Sequence, residues 1–382
     1  MFVHRQIRIA LVAGEVSGDF LGAGLIAALK KQLKNVEFYG IGGSKMIAEG
    51  FRTMVPMERL SVMGISDVLW RYPELYQIRR RLISELLANP PDLFIGIDYQ
   101  HFNLYVETQL KQNGVKTIQY VSPKIWAWRQ KRVFKVKKAV DLMLTIFPFE
   151  DVFYRHYSVP VRFVGHPLAD VIPLENNVAL SKKALGIKPN EIVIAILPGS
   201  RLSELRHMAA IFIDIINKIN VHRPEIRFIF PMVSGELKAF FEHHYSINVS
   251  KANVKVMIGQ AREVMAAADL VLVKSGTATL EAMLLKRPMV VLFKWGVLSH
   301  AIIAPQLKIP FVSLPNLLAN QALVPEFIQG KICLDDVVKT VFELLDDVIL
   351  KKKLQIKFGE IHHQLRQNAN EKAASAVLEL LG

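Results

Sequence analysis

Cysteine, acidic residues and long apolar runs are all scarce in this sequence. Cys333 is the one cysteine among 382 residues, so an intrachain disulfide is excluded and a reducing compartment is expected. No apolar run approaches the length of a membrane span. The first run, Ile9 to Ala13, ends at Gly14 and Glu15, too early for the apolar core of a signal peptide. We therefore expect neither a membrane-spanning segment nor a secretion signal.

Several signatures of enzyme chemistry are also missing. The sequence contains no Gly-x-Gly-x-x-Gly dinucleotide motif, no Gly-x-x-x-x-Gly-Lys-Ser/Thr phosphate loop and no Gly-x-Ser-x-Gly elbow. The adjacent pairs His243-His244 and His362-His363 do not place both rings on one helix face, and no Cys/His cluster has zinc spacing. We expect no metal and no cofactor, and serine hydrolysis and ATP hydrolysis are disfavoured.

Positive charge, by contrast, is in excess. The chain has 48 lysines and arginines against 34 acidic residues, a formal net charge of +14. Two segments of the first half, Trp70–Arg81 and Trp126–Lys138, mix aromatic residues with cations. This mixture is typical of a membrane interface, although solvated helix faces with buried aromatics would give the same pattern. We expect an anionic membrane surface as a partner and no nucleic acid, because no recognised nucleic-acid-binding module is present.

Short apolar runs alternate with longer amphipathic segments, which is the βαβ pattern of a parallel sheet with helices on both faces. The pattern ends near Pro167 and restarts near Ile192. We expect two doubly wound, Rossmann-like α/β domains facing across a cleft: residues 1–167, residues 168–347, and C-terminal helices 348–382 that pack back on the first domain. The predicted strands are Ile7–Ala13, Val36–Tyr39, Leu93–Ile97, Thr117–Val121, Leu142–Phe147, Ile192–Leu197, Arg227–Met232, Val254–Ile258, Leu270–Val273 and Met289–Phe293.

Two polar loops follow strands of the first domain. Gly14-Glu15-Val16-Ser17-Gly18-Asp19 combines small residues, which let a ligand approach the backbone, with carboxylates that can accept hydrogen bonds from sugar hydroxyls. A capped turn is the alternative, with Ser17 or Asp19 as the cap. Asp98 ends the strand Leu93–Ile97, where a carboxylate can remove a proton from an attacking hydroxyl. A helix cap is the alternative for Asp98, and His101 is a weaker candidate for the base.

Two further loops follow strands of the second domain. Leu197-Pro198-Gly199-Ser200-Arg201 offers backbone donors and a guanidinium that fits phosphate oxygens. Ser275-Gly276-Thr277 precedes a predicted helix, and Glu281 lies within reach of a sugar hydroxyl. Together they indicate a nucleotide or nucleotide-sugar pocket. Taken alone, Ser275–Glu281 is equally compatible with an ordinary capped helix.

The order of these segments resembles the bacterial lipid-A-disaccharide synthase family, between about residues 8 and 330. The Trp-Ala-Trp-Arg and Ser-Leu-Pro-Asn segments are the most distinctive. The segments that carry the resemblance are Gly14–Asp19, Gly96–Asp98, Tyr120–Pro123, Trp126–Arg129, Leu197–Arg201, Ser275–Glu281 and Ser313–Ala319. The resemblance implies an inverting GT-B glycosyltransferase without a required metal. The family joins UDP-2,3-diacylglucosamine to 2,3-diacylglucosamine 1-phosphate, giving the β-1,6 disaccharide of lipid A and UDP at the cytoplasmic face of the inner membrane.

The resemblance also implies roles for individual residues. Asp98 would deprotonate the acceptor 6-hydroxyl. The UDP side would be held by Gly199, Ser200, Arg201, Ser275, Gly276 and Thr277, with Glu281 on the ribose and Asn316 on the donor side. Gly14, Glu15, Ser17, Gly18 and Asp19 would lie under the donor sugar or diphosphate. A homodimer is an open possibility.

Six residues at three places depart from the usual family pattern. Tyr99-Gln100-His101 replaces small-Pro-Asp after Asp98, Asn320-Gln321 replaces Gly/Asp-Arg, and Lys294 replaces an arginine. These departures leave the UDP residues intact and concern the acceptor. The alternatives are therefore a divergent GT-B enzyme or a UDP-sugar 2-epimerase, or a non-catalytic protein that binds anionic lipid.

Overall fold

Two parallel β-sheets, each with buried strands, organise the chain. The computed structural model describes residues 6–60, 65–245, 252–294 and 304–382, with the side chains of 65–70 left aside. Its contacts divide the chain into two units. Unit 1 comprises residues 1–170 and 365–382, and unit 2 comprises residues 171–364.

Unit 1 contains a seven-stranded sheet in the order β3-β2-β1-β4-β5-β6-β7, with every pair parallel. Its strands are β1 (Ile7–Ala13), β2 (Val36–Ile41), β3 (Arg52–Thr53), β4 (Leu93–Ile97), β5 (Lys116–Tyr120), β6 (Leu142–Thr145) and β7 (Val161–Phe163). The strand order reverses between β1 and β4. In open α/β sheets, ligands bind beyond the carboxyl ends of the strands at such a reversal.

Helices cover the unit 1 sheet because its strands are apolar on both faces. They are α1 (Val16–Gln32), α2 (Ser44–Ala48), α3 (Ile65–Ala88), α4 (Gln100–Gln112), α5 (Val133–Ala139), α6 (Pro148–His156), α7 (Pro167–Val171) and, from the C-terminus, α16 (Ala369–Leu381). One buried core joins β1, β2 and β4 to the inner faces of α3 and α4 through residues such as Val12, Phe94, Leu82 and Val106. This packing fixes the start of α4, directly after Asp98.

Unit 2 contains a six-stranded parallel sheet in the order β10-β9-β8-β11-β12-β13. Its strands are β8 (Val193–Leu197), β9 (Arg227–Met232), β10 (Asn253–Ile258), β11 (Leu270–Lys274), β12 (Met289–Phe293) and β13 (Glu326–Ile328). Its helices are α8 (Val178–Ala184), α9 (Leu202–His222), α10 (Gly235–Tyr245), α11 (Ala261–Ala267), α12 (Thr277–Leu284), α13 (Leu314–Ala319), α14 (Leu334–Asp346) and α15 (Val348–Leu365). Here the strand order reverses between β8 and β11.

The C-terminal segment is divided between the two units, which corrects the expectation that residues 348–382 pack together on the first domain. Helix α16 belongs to unit 1: Lys31 of α1 pairs with Glu371 at 2.7 Å, and the backbone of Ala369 donates to Asp170. Helix α15 lies in unit 2, where the buried ring of His362 accepts a hydrogen bond from Lys286. The amphipathic sequence predicted both helices, but the buried partner of His362 is 76 residues away.

None of the described helices is long and apolar enough to span a bilayer. Within the same described ranges, no group of three or more His, Cys, Asp or Glu side chains is arranged to hold a metal ion.

Candidate active site

The backbone at the carboxyl end of β4 turns through two consecutive residues in the left-handed region. Asp98 has φ 50° and Tyr99 has φ 37°. Such conformations are uncommon for residues other than glycine and require support from their surroundings. Three hydrogen bonds supply it: the Asp98 N–H donates to Tyr120 O at 2.8 Å, and the Asp98 carbonyl accepts from the amide groups of Asn103 and Gln119, both at 3.0 Å. The turn presents Asp98 at the β1–β4 reversal.

The carboxyl group of Asp98 is shielded from solvent more than a surface aspartate. Burial, followed by the nearby carboxylate of Glu15, raises the pKa of Asp98 above its ordinary value. A hydrogen bond from the Tyr99 backbone and the charge of Lys124 act in the opposite direction. A raised pKa makes the ionised carboxylate a stronger base. The structure thus brings Asp98 and Glu15 together, as the two loops of the sequence predicted, and adds Lys124 from the loop after β5.

Gly14 and Gly18 bring the β1–α1 loop close to β4. A Cβ atom at Gly14 would lie 2.5 Å from the ring of Tyr99, and one at Gly18 would lie 3.4 Å from the carbonyl of Ile97. The Tyr99 hydroxyl donates to Leu60 O at 2.9 Å, and this hydrogen bond fixes the position of the ring against Gly14. Glu15 and Ser17 are exposed beside this contact. The loop therefore approaches Asp98 closely, and Tyr99, one of the departures from the family pattern, fills part of that space.

Asp19 differs from its predicted role at a sugar hydroxyl. Its side chain is buried, and its two oxygens accept from the backbone N–H groups of Gly43, Lys45 and Met46 at 2.9–3.0 Å. Asp19 thus caps the short helix α2 and ties it to α1. The hydrogen bonds of this carboxylate are thus made within the protein. Their donors belong to a loop that lies 24–27 residues away in the sequence.

In unit 2, the loop after β8 turns at Gly199, and one of its predicted backbone donors, the Ser200 N–H, is bound within the protein. Gly199 has φ 131°, and a Cβ atom there would lie 2.6 Å from the side chain of Glu204. Glu204 accepts from the Ser200 N–H at 2.9 Å. Ser200 and Arg201 are exposed at the start of α9. The guanidinium of Arg201 is therefore placed in solvent beside a helix N-terminus, a combination suited to phosphate.

An ion pair joins the two loops of unit 2. Lys274, the last residue of β11, donates to Glu204 at 3.0 Å, and both side chains are largely shielded from solvent. Burial alone would raise the pKa of Glu204, but Lys274 and the Ser200 N–H outweigh it, so the pKa is lowered. Because β8 and β11 are adjacent parallel strands, the Gly199–Arg201 and Ser275–Thr277 loops leave the same edge of the sheet side by side. The sequence analysis did not identify Lys274, whose only signal was a charge ending an apolar strand.

The loop after β11 leads directly into α12. Gly276 and Thr277 are exposed at its N-terminus, and the hydroxyl of Ser275 donates to Val312 O at 2.7 Å. The first N–H groups of a helix have no partner within the helix, so they are available to an anion. Glu281 pairs with Arg262 at 3.2 Å. Arg262 is therefore a second charged neighbour that the sequence analysis missed.

Asn316, which the resemblance places at the donor side, is part of a hydrogen-bond network within the protein. It is buried, and its amide makes four hydrogen bonds within the protein: it donates to Val324 O and Glu326 Oε1, both at 2.8 Å, and accepts from the N–H groups of Leu323 and Val324. Glu326 also accepts from the backbone N–H groups of Val312 and Ser313. Asn316 and Glu326 thus stabilise the segment around Val312, whose carbonyl accepts the hydrogen bond from the Ser275 hydroxyl. Asn316 therefore supports this loop, and its contact with the donor stays a prediction.

Exposed aromatic and cationic side chains of unit 1 meet in two places, on α3 and α4 and in the segment from Trp128 to Phe134. Arg79 of α3 lies 4.2 Å from the ring centroid of Tyr105 on α4, and Arg129 lies 4.4 Å from that of Trp128. Tyr72, Tyr76, Tyr105 and Phe134 are each about half exposed or more, at 48–59%. Trp126, in contrast, is partly buried and donates its indole N–H to the buried Glu150 at 3.1 Å. We call the exposed and part-exposed set, consisting of Tyr72, Tyr76, Arg79, Tyr105, Trp128, Arg129, Arg132 and Phe134, the aromatic-cationic surface.

Comparison with known proteins identifies the family. A family model described as LpxB, lipid-A-disaccharide synthetase, matches residues 9–380. The chain belongs to this family. Lipid-A-disaccharide synthase 2 of Legionella pneumophila strain Lens is 55% identical over 381 residues, which cover 100% of this chain and 99% of that protein. The resemblance seen in the sequence is confirmed, and this lipid-A-disaccharide synthetase family member is an enzyme.

The fold places this family member among the GT-B proteins. The glycotransferase of kitacinnamycin superposes with a TM-score of 0.63 at 14% identity, covering 99% of this chain and 100% of that chain. UDP-GlcNAc 2-epimerase from Neisseria meningitidis, solved bound to UDP-GlcNAc, superposes with a TM-score of 0.62 at 13% identity, covering 99% of each chain. At these identities the likeness concerns the fold alone. The predicted fold class, two parallel-sheet α/β domains of GT-B type, is confirmed.

Proposed function

We propose that this protein joins UDP-2,3-diacylglucosamine to 2,3-diacylglucosamine 1-phosphate and releases UDP. The observation that carries the proposal is the family match along nearly the whole chain, residues 9–380. The site geometry supports the proposal. The partly buried carboxylate of Asp98 follows β4, and the Gly199–Arg201 and Ser275–Thr277 loops, which are suited to binding an anion, follow the adjacent strands β8 and β11. In this proposal unit 1 supplies the base and unit 2 holds the nucleotide.

Asp98 is the base in the proposed reaction. Its carboxylate takes the proton of the acceptor 6-hydroxyl while that oxygen forms a bond to the anomeric carbon of the donor. The bond from the anomeric carbon to the diphosphate oxygen breaks, and its electron pair leaves with UDP. Attack on the face opposite the leaving group inverts the anomeric centre. The raised pKa of Asp98 favours this proton transfer, provided that the carboxyl is ionised when the acceptor binds.

UDP binding is assigned to unit 2. Arg201, with the Gly199 backbone and the exposed Ser200 side chain, stabilises the negative charge that develops on the departing UDP, and Ser275–Thr277 adds backbone donors at the N-terminus of α12. Glu281 accepts from the ribose hydroxyls while Arg262 holds its other oxygen. The Lys274–Glu204 pair fixes the two loops at one spacing, so the donors are in place before the substrate arrives.

The aromatic-cationic surface is the proposed contact with the membrane. The substrates are acylated, and exposed tyrosines beside arginines suit the interface of an anionic bilayer. We therefore place the protein at the inner face of the inner membrane as a peripheral enzyme. Co-sedimentation with phosphatidylglycerol vesicles at low and high salt tests this placement, with Arg129→Gln/Arg132→Gln as the variant and Lys339→Gln/Lys357→Gln as the charge-matched control. Equal binding by both variants would remove this surface from the proposal. Sedimentation of the full chain in detergent tests the predicted homodimer.

The decisive experiment supplies both substrates to the purified protein and measures the disaccharide and UDP. Disaccharide and UDP should form in equal amounts. A second reaction without the acceptor separates this activity from a UDP-sugar 2-epimerase, which changes its sugar without an acceptor. A folded protein that binds UDP but forms no disaccharide would overturn the proposal.

A further inference from the structure

A cluster of buried polar side chains lies directly beneath the Asp98 turn. Asn103 and Glu107, on the inner face of α4, and Gln119 of β5 are all 0% exposed. The three surround Gly96 of β4. A Cβ atom at Gly96 would lie 2.8 Å from Asn103 Cβ and 2.9 Å from Gln119 Oε1, and it would collide with Glu107 Oε1. The glycine therefore leaves room for polar groups where an α/β core normally has apolar ones.

The two amides of this cluster have a fixed orientation. The Asn103 NH₂ group donates to the carbonyls of Val12, Ile97 and Asp98, at 3.0–3.4 Å. The Gln119 NH₂ group donates to the carbonyls of Asp98, Tyr120 and Val121, at 3.0–3.4 Å. Each NH₂ group faces carbonyl oxygens alone, so each amide oxygen must point the other way. Both amides converge on the Asp98 carbonyl.

The opposite side of the cluster holds acceptors that lack donors. Asn103 Oδ1, Gln119 Oε1 and both carboxyl oxygens of Glu107 are buried without a hydrogen-bond partner among the described residues. An ionised Glu107 would place a negative charge beside two amide oxygens while neither of its own oxygens accepts a hydrogen bond, at a large desolvation cost. A protonated Glu107 removes this conflict, because its O–H becomes a donor. Burial likewise raises the pKa of Glu107 well above its ordinary range.

We infer that Glu107 is a neutral carboxylic acid whose proton binds the amide oxygen of Gln119 and so positions the catalytic turn at Asp98. Glu107 Oε1 and Gln119 Oε1 lie within 2.9 Å of the same point, the Cβ position at Gly96. A hydrogen bond there holds the Gln119 side chain, whose NH₂ group in turn holds the Asp98 carbonyl in its left-handed conformation. Glu107 is thus a positioning residue. The inference rests on the proposed role of Asp98 as the base.

The protonation state is measured independently of activity. Infrared spectroscopy of the full-length protein at pH 7 detects the C=O stretch of a protonated carboxylic acid, which shifts in D₂O. Glu150 is the matched control, because burial raises its pKa to about 8 and it should contribute a second band. We expect Glu107→Gln to remove one band that Glu150→Gln leaves in place. If Glu107→Gln leaves the carboxylic-acid region unchanged at pH 7, Glu107 is ionised or its site holds a cation, and the inference fails.

The positioning role is measured by two substitutions of similar volume. Glu107→Gln keeps an N–H donor toward Gln119, so kcat should stay within a few-fold of the parent. Glu107→Leu removes the hydrogen-bond donor, so kcat should fall on the order of 100-fold. The KM for the UDP-sugar substrate and the affinity for UDP should stay unchanged. Equal kcat for Leu and Gln, or a change confined to KM, would overturn the inference. If the leucine variant does not fold, the kcat of Glu107→Gln and the infrared band of Glu107 still test the inference. A kcat of Glu107→Gln far below that of the parent, or a missing band, would overturn it.

The two proposals fail in different ways. If the parent protein forms no disaccharide, the proposed function fails while the infrared result still reports the state of Glu107. If disaccharide forms and the Glu107 band is missing, the proposed function stands and the positioning inference is rejected.

Discussion

Units 1 and 2 differ in the electrostatics of the carboxylates near the reversal of strand order in each sheet. In each sheet the strand order reverses beside the first strand, and polar loops leave the carboxyl ends there. In unit 1 the carboxylate of Asp98 has a second carboxylate nearby, and its pKa is raised. In unit 2 the carboxylate of Glu204 has Lys274 beside it, and its pKa is lowered. The reversal thus carries a carboxylate with a raised pKa in unit 1, chiefly through burial, and a carboxylate with a lowered pKa in unit 2, which fits the proposed base and the proposed anion site.

The largest expected effect tests the unit 1 side. Asp98→Asn keeps the shape of the side chain and removes the basic oxygen, so kcat should fall by about 10²–10⁴-fold. UDP affinity, measured by calorimetry, should stay unchanged, because the residues proposed to bind the nucleotide lie in unit 2. Asp151→Asn, which alters a partly exposed carboxylate paired with Arg155, is the control. A fully active Asp98→Asn variant would remove this residue from the mechanism.

The next effect tests the unit 2 side. Arg201→Ala removes a charged donor from the proposed diphosphate site and should weaken UDP binding by about 10- to 100-fold. Arg201→Lys should recover only part of this loss, since an ammonium group cannot form two parallel hydrogen bonds. Arg206→Ala, on the same helix, serves as the control because its guanidinium lies over Phe240. Calorimetry with UDP measures all three, and equal affinities would place the diphosphate elsewhere.

The pH dependence of stability should differ in sign between the two units. Glu150 of unit 1 has a pKa of about 8 when folded, against about 4.3 when unfolded. Its contribution is complete below about pH 4.3 and is lost as the pH rises toward 8. Glu204 has a lowered pKa, so its contribution is present above its unfolded pKa and is lost as the pH falls through the folded one.

Thermal unfolding of variants separates these two contributions. As the pH rises from about 5 to 8, the Tm of Glu150→Gln should fall less than the Tm of the parent protein. Each kcal/mol of lost stability should lower Tm by about 2–4 °C in a domain of this size. Glu204→Gln should flatten the profile below about pH 5 instead. If both substitutions change the profile in the same pH range, the contrast between the units does not hold.

The smallest expected effect concerns the backbone of the phosphate loop. Gly199→Ala meets both an unfavourable φ of 131° and the side chain of Glu204, and should cost about 1–3 kcal/mol and weaken UDP binding. Gly186→Ala is the matched control: Gly186 also has a positive φ, 68°, but a Cβ atom added there would meet no atom of the described residues within 4 Å. It should lower Tm slightly and leave UDP affinity unchanged. Equal UDP affinity in both variants would show that the loop geometry is not needed.

The sequence predicted the elements better than the side-chain partners. All ten predicted strands are present, because each coincides with a run of mainly apolar residues, as is typical of strands in a parallel sheet. The three strands that it did not delimit, β3, β7 and β13, have two or three residues each and leave no such run. Asp98 and the two unit 2 loops could be predicted as site candidates because polar residues at strand ends are visible in the sequence.

The roles of Asp19 and Asn316 were not visible, because their partners are set by tertiary structure. A buried aspartate that caps α2 and an aspartate that binds a sugar have the same local sequence. The same holds for Lys274, whose partner Glu204 lies 70 residues earlier. Sequence patterns locate a site at a strand end, whereas only packing decides which of its side chains are already occupied by the protein.

The division of the C-terminal helices has a consequence for the order of folding during synthesis. Unit 2 is one continuous stretch, whereas unit 1 needs α16, which is synthesised after all of unit 2. Lys116 of β5 donates to Leu380 O at 2.7 Å, a contact that spans 264 residues. Closing so long a loop is slow compared with local contacts. The second unit in the sequence can therefore be complete first, while the unit that carries Asp98 waits for α16 to leave the ribosome.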